Sequence, residues 1–133
     1  MTRTLTSALL LLTLAACGGD AKVTTPAVTV PTVSFSVAGA WTGTTQLSGS
    51  LVQFAGTLVD NNGSVSGNGT IIGGTLNCAA SISGSRTDTN VSLNWTCTGF
   101  QPINYAASLA GTKLTGNLNG SGFSNLALTM NKQ

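Results

Sequence analysis

The sequence predicts an all-β fold: eight antiparallel strands in an up-and-down meander, closed into a small barrel. Three observations predict it. Apolar residues recur at every second position through most of residues 37–130, which is the period of a half-buried strand. Turn signals such as Asn62-Gly63, Gly73-Gly74 and Gly111-Thr112 break that alternation at strand-length intervals. Within it, Cys78 and Cys97 fall on segments whose apolar positions match when laid side by side.

The first strand runs through Val37, Gly39, Trp41 and Gly43. A turn at Asn62-Gly63 sets Leu58 opposite Gly67, Gly56 opposite Gly69 and Phe54 opposite Ile71. A two-residue turn at Gly73-Gly74 sets Ile71 opposite Leu76, Gly69 opposite Cys78, Gly67 opposite Ala80 and Val65 opposite Ile82. Next comes the turn-rich stretch Ser85-Arg86-Thr87-Asp88-Thr89. With Cys78 directly across from Cys97, one face pairs Ala80 with Trp95, Ile82 with Leu93 and Gly84 with Val91, while the other pairs Ala79 with Thr96, Ser81 with Asn94 and Ser83 with Ser92. One face is apolar and the other almost wholly polar, a sorting that a slip of one residue would scramble. The loop Thr98 to Pro102 then sets Cys97 opposite Ile103, Trp95 opposite Tyr105 and Leu93 opposite Ala107. A turn at Gly111-Thr112 pairs Leu109 with Leu114 and Tyr105 with Leu118, and residues 119–125 turn the chain into Leu126, Leu128 and Met130.

A meander with one apolar face can close into a barrel and so leave no exposed sheet edge. A two-sheet β-sandwich fits the same alternation and is the alternative. A transmembrane barrel also alternates, with its apolar face toward lipid, but here the apolar face carries cysteines and many glycines, aromatic girdles are absent, and the polar face lacks lumen charges. The Cys78–Cys97 pairing predicts a disulfide on the core face, stabilising the domain by about 3 kcal/mol through the unfolded chain. A metal site is not expected, because two cysteines with no histidine and no glutamate cannot complete the usual ligand set.

At the N-terminus, Met1-Thr2-Arg3 gives a short positive start, Ala8 to Leu14 an apolar run, and Leu14-Ala15-Ala16-Cys17 small residues before a cysteine. This segment resembles a bacterial lipobox. The resemblance implies cleavage before Cys17, a lipid on Cys17, attachment to a membrane and residence in a bacterial cell envelope. Gly18 follows the cysteine where inner-membrane lipoproteins often carry aspartate, which favours the outer membrane in a Gram-negative host. As a transmembrane helix the run from Leu5 to Ala16 falls well short of the roughly 20 residues required. The predicted organisation is a signal peptide over residues 1–16, a lipidated flexible tether over 17–34 and a barrel domain over 35–133. Pro26, Pro31 and the repeated Thr and Val argue for the tether, extended at ~3.1 Å per residue; an edge strand through Val28 and Val30 is the lesser reading.

The segment Val37-Ala38-Gly39-Ala40-Trp41-Thr42-Gly43 contains a Gly-x-Trp triplet that resembles the first strand of the calycin group, which includes lipocalins and avidin-like proteins. The resemblance implies that Gly39 bends the chain into the barrel, that Trp41 plugs its closed end, and that a basic residue near the last strand stacks over that tryptophan. Lys132 is the only candidate for the stack. The remaining lipocalin motifs and the biotin-contacting set of avidins are not found, so family ligands do not carry over.

Composition narrows the chemistry further. Lys22, Arg86, Lys113 and Lys132 stand against Asp20, Asp60 and Asp88, a thin spread that attracts neither nucleic acid nor an anionic lipid surface. With no histidine and no glutamate, with its aspartates in the tether and at hairpin turns, and with Arg86 and Lys113 also at turns, the chain offers no acid-base pair and no activated nucleophile. No catalytic residues and no cofactor are therefore expected. Two kinds of binding remain. An eight-stranded barrel is just wide enough to hold a small apolar ligand or to be filled by side chains, and Trp41, Phe54, Trp95, Tyr105 and Leu118 would line such a pocket or pack such a core. Alternatively the barrel is a rigid surface module or inhibitor that meets an envelope protein through its loops, with Phe100 and Phe123 as loop contacts.

Overall fold

The computed structural model describes residues 24–31 and 33–133. The expected signal peptide and Cys17 lie outside the described residues. Residues 24–31 carry no regular structure and are exposed, Val28 at 84% and Val30 at 74%, so no strand runs through them. Val33–Gln133 forms a compact unit.

That unit is an eight-stranded meander closed into a barrel. Its strands are β1 (Gly39–Leu47), β2 (Ser50–Asn61), β3 (Ser64–Gly73), β4 (Leu76–Thr87), β5 (Asn90–Cys97), β6 (Ile103–Ala110), β7 (Lys113–Gly120) and β8 (Phe123–Lys132). Each pairs antiparallel with its neighbour in the chain, and β8 returns to β1 through Trp41↔Lys132 to Thr44↔Thr129. Beyond Thr44 the seam is held by a side chain: Thr45 Oγ1 donates to the Ala127 carbonyl at 2.8 Å. Closure removes the free edges that an open meander would present, and it decides for the barrel over the sandwich.

Alternation sorts the side chains as expected. Val52, Phe54 and Leu58 of β2, Leu93 and Trp95 of β5 and Leu114 and Leu118 of β7 point inward and are buried, and Ser, Thr and Asn occupy most outward positions. The hairpins around Asn62-Gly63 and Gly111-Thr112 have the expected registers, with Phe54↔Ile71 in the first and Leu109↔Leu114 and Tyr105↔Leu118 in the second.

Three other pairings differ from expectation by two residues. The β3–β4 turn is centred on Gly74-Thr75, so Ile71 faces Cys78 and Gly73 faces Leu76. The β4–β5 strands run right to a two-residue turn at Asp88-Thr89, which Asp88 closes with φ 53°; an aspartate tolerates that left-handed conformation. Ala80 therefore faces Cys97, Ile82 faces Trp95 and Gly84 faces Leu93. The β5–β6 strands follow suit, with Trp95 facing Ile103 and Leu93 facing Tyr105. The disulfide survives the shift because Cys78 becomes a diagonal rather than a direct neighbour of Cys97, with Cα atoms 6.0 Å apart and within the range a disulfide spans. An offset of two keeps every residue on its own face, which is why the polar-apolar sorting did not reveal it.

The last turn is also tighter than expected. It comprises Ser121-Gly122, with φ 53° and 92°, and Phe123 belongs to β8 rather than to a loop. A register irregularity between Leu118 and Gly120 lets Phe123 turn inward. It is 4% exposed and packs edge-on against Phe54, with centroids 5.8 Å apart. Phe100 does lie in the loop before β6 and is 38% exposed.

Candidate functional site

Inside the barrel, the five residues expected to line a pocket or fill a core are all buried, none more than 1% exposed. Phe54 and Trp95 meet edge-to-face at 5.4 Å and 87°, a favoured aromatic geometry. The indole of Trp95 extends across the barrel to the opposite wall, where β2 and β3 carry glycines. A Cβ on Gly56 would lie 2.9 Å from Trp95 Cη2 and 2.8 Å from Ile82 Cδ1, and one on Gly69 would lie 2.7 Å from Trp95 Cζ3. The space left by these glycines is thus occupied by tryptophan. Tyr105 faces Leu118 across β6 and β7, and its hydroxyl lies 2.9 Å from the Leu114 carbonyl and 3.0 Å from the Leu128 carbonyl. Burial pushes its phenol pKa up, so it stays a neutral donor.

Trp41 sits where the chain enters the barrel. Its Nε1 donates to the Val37 carbonyl at 2.7 Å, and Lys132 Nζ lies 5.8 Å from its ring centroid, within cation–π range. Lys132 is brought there by direct pairing of β8 with Trp41. The same end holds an ion pair that sequence reasoning missed. Asp60 and Arg86 are expected at turns, yet both belong to strands and both alternate inward. Arg86 Nε donates to Asp60 Oδ2 at 2.6 Å, while the backbone N–H groups of Gly63 and Val37 donate to the same carboxylate at 2.9 and 3.1 Å. The Asp60 side chain is 1% exposed and that of Arg86 13%. The Arg86 hydrogen bond, aided by the two backbone donors and opposed by burial, holds the Asp60 carboxyl down at about 2. The available signal was parity: Asp60 continues the inward series of Phe54, Gly56 and Leu58, and Arg86 that of Ile82 and Gly84.

Two buried polar side-chain atoms lack a hydrogen-bond partner among the described residues, Trp95 Nε1 in the interior and Asn94 Oδ1 on the outer wall. Among those residues no three of His, Cys, Asp or Glu come together as a metal site would require.

The marked concavities lie on the outer wall and at the two ends of the barrel. One of about 460 Å³ runs across the outer wall of β4, β5, β6 and β7, lined by Ser85, Thr87, Asn90, Ser92, Ala106 and Ser108 among others. A smaller one of about 230 Å³ crosses β1, β2 and β3 over Ala40, Ala55 and Thr57. Two more lie at the barrel ends: one of about 380 Å³ where Val33 to Ser36 pass Leu109 and Gly111, and one of about 240 Å³ beside Leu47, Val52 and Gly74.

The class these features define is a small closed β-barrel with a packed aromatic interior and concavities on its outer wall and at its ends. In comparisons with known proteins, the chain matches no family model, no curated protein and no solved structure.

Proposed function

We propose that this protein is a lipid-anchored envelope protein whose barrel is a non-catalytic binding module acting through its outer surface. The observation that carries the second half is the filled interior: Trp95 occupies the room above Gly56 and Gly69, Phe54 packs edge-on against it, and Phe123 packs against Phe54. A carrier needs an enclosed volume of a few hundred Å³, whereas here the concavity of about 460 Å³ lies on the outer wall and those of about 380 and 240 Å³ lie at the ends of the barrel. The anchoring half rests on the lipobox-like segment ending in Cys17 and on the tether-like composition that follows it.

A calycin-like carrier of a small apolar ligand is the second reading. It is favoured by the unpartnered Trp95 Nε1, a polar atom within the interior, and by the stack of Lys132 on Trp41. Native mass spectrometry of the protein purified from its own envelope separates the two: the module reading expects only the mature chain with its covalent lipid, and a further stoichiometric apolar molecule lost on denaturation would replace it with the carrier. For the anchor, Cys17→Ser should move the protein from the membrane fraction to the soluble fraction. Retention of that variant on membranes would refute lipid anchoring.

A further inference from the structure

We propose that the groove across the outer wall of β4 to β7 is a binding site for a neutral oligosaccharide. This deepens the reading of the barrel as an externally acting module by naming its ligand class.

The groove follows from how the wall bends. A Cβ on Gly84 of β4 would run into the Ser92 carbonyl of β5, and one on Gly116 of β7 into the Ala106 carbonyl of β6. Glycines at these two inner positions let β5 and β6 lean inward from the strands that flank them. The outer surface is drawn in over β5 and β6, and Ala106, small and outward-facing at the centre, leaves the depression unfilled.

Its lining has a definite chemistry. Strand register aligns Ser85, Ser92 and Ala106 in one cross-strand row and Thr87, Asn90 and Ser108 in the next, with Thr115 continuing the second row on β7. Successive members stand about 4.8 Å apart. Hydroxyl and amide side chains both donate and accept, which matches a polyol whose every hydroxyl also does both. No lining side chain is charged, so a phosphate, a carboxylate or a cation finds no counter-ion there, whereas a neutral sugar needs none. Ala106 gives a small apolar floor for the C–H face of a sugar ring. The volume, about 460 Å³, falls in the ordinary range of small-ligand sites, about 300–1,000 Å³. No aromatic ring lines the groove, so single-site affinity is in the millimolar range, and anchored copies on one surface would act together.

The test uses the full chain in detergent micelles, labelled with ¹⁵N and titrated with chitotetraose as the neutral probe and a hyaluronan tetrasaccharide as its anionic counterpart. The expected result is that chitotetraose shifts the backbone amides of Ser92, Ala106 and Ser108, that the hyaluronan fragment does not, and that Ala106→Trp, which fills the groove from an exposed position, weakens binding about tenfold or more. Ala55→Trp, in the smaller outer depression, should leave binding unchanged. No shift with chitotetraose up to about 10 mM, equal response to both probes, or undiminished binding by Ala106→Trp would each overturn the proposal. The Trp95 indole N–H reports the interior separately: if it alone shifts, the outward-acting module falls as well, and if nothing shifts, only the groove assignment does.

Discussion

Replacing Asp60 by asparagine should remove about 2 kcal/mol of stability at neutral pH and erase the domain's main response to acid. The Asp60 carboxyl is held at about 2 instead of its ordinary 3.8. Each pKa unit between folded and unfolded states corresponds to about 1.4 kcal/mol, so the ionised form contributes about 2 kcal/mol. With the side chain 1% exposed, solvent does little to screen it. Because the folded pKa lies below the unfolded one, this stability is fully present above about pH 5, declines as pH falls through 3.8, and is gone once the folded carboxyl protonates near 2. Asparagine removes the charge and keeps one acceptor oxygen: it can accept from Gly63 or from Val37, which donate to different oxygens of the carboxylate, and it leaves Arg86 without its anion. Urea unfolding of the fragment from residue 24 onward, followed by tryptophan fluorescence from pH 7 to 2, gives the two stability curves. They should be separated by about 2 kcal/mol at pH 7 and converge near pH 2. With no glutamate and no histidine in the chain, few other groups blur the comparison. A gap at pH 7 below about 0.5 kcal/mol, or one that persists unchanged into acid, would refute the assignment of this carboxylate as a stabilising buried anion.

Three further outcomes follow from the same geometry. Gly56→Ala should destabilise by about 1–3 kcal/mol, since its Cβ would press on Ile82 and Trp95; a double-mutant cycle with Trp95→Phe should recover part of that loss, and strict additivity would show that the indole does not occupy the glycine's space. Tyr105→Phe should cost about 1–2 kcal/mol in thermal or urea unfolding, because two buried carbonyls lose their shared donor. Cys78→Ser with Cys97→Ser should lower stability by about 3 kcal/mol while preserving the far-ultraviolet circular dichroism of the barrel, and an unchanged denaturation midpoint would remove the disulfide from the stabilising interactions.

Much of this architecture was legible in the chain. Two-residue alternation marks the inner face of each strand, and Asn62-Gly63 and Gly111-Thr112 lock their hairpins because each offers a single tight-turn placement. Gly73-Gly74 was ambiguous. The chain turns one residue later, at Gly74-Thr75, and the β4–β5 and β5–β6 pairings are each offset by two residues through their own connections. Phe123 was misplaced for a related reason: a bulge changes the parity of its strand end, and alternation read from Leu126 backward cannot anticipate it. The five aromatic and aliphatic candidates were found because burial follows parity, whereas their mutual packing depends on strands far apart in sequence. Asp60 and Arg86 looked like turn residues because turn composition surrounds them.

The sequence by itself determined that the domain is all-β, that it has eight strands, which side of each strand is apolar, and which two cysteines share a face. These are local properties, set by a side-chain period of two and by turn residues. Tertiary structure alone decided the offset of neighbouring strands, the return of β8 to β1, the meeting of Asp60 with Arg86 and Val37, the reach of Trp95 over Gly56 and Gly69, and the outer groove beside Ala106. An offset of two leaves every side chain on its own face, so local patterning cannot distinguish the alternatives. Closure distinguishes them, because each strand must satisfy two neighbours at once and the ring accepts one set of offsets.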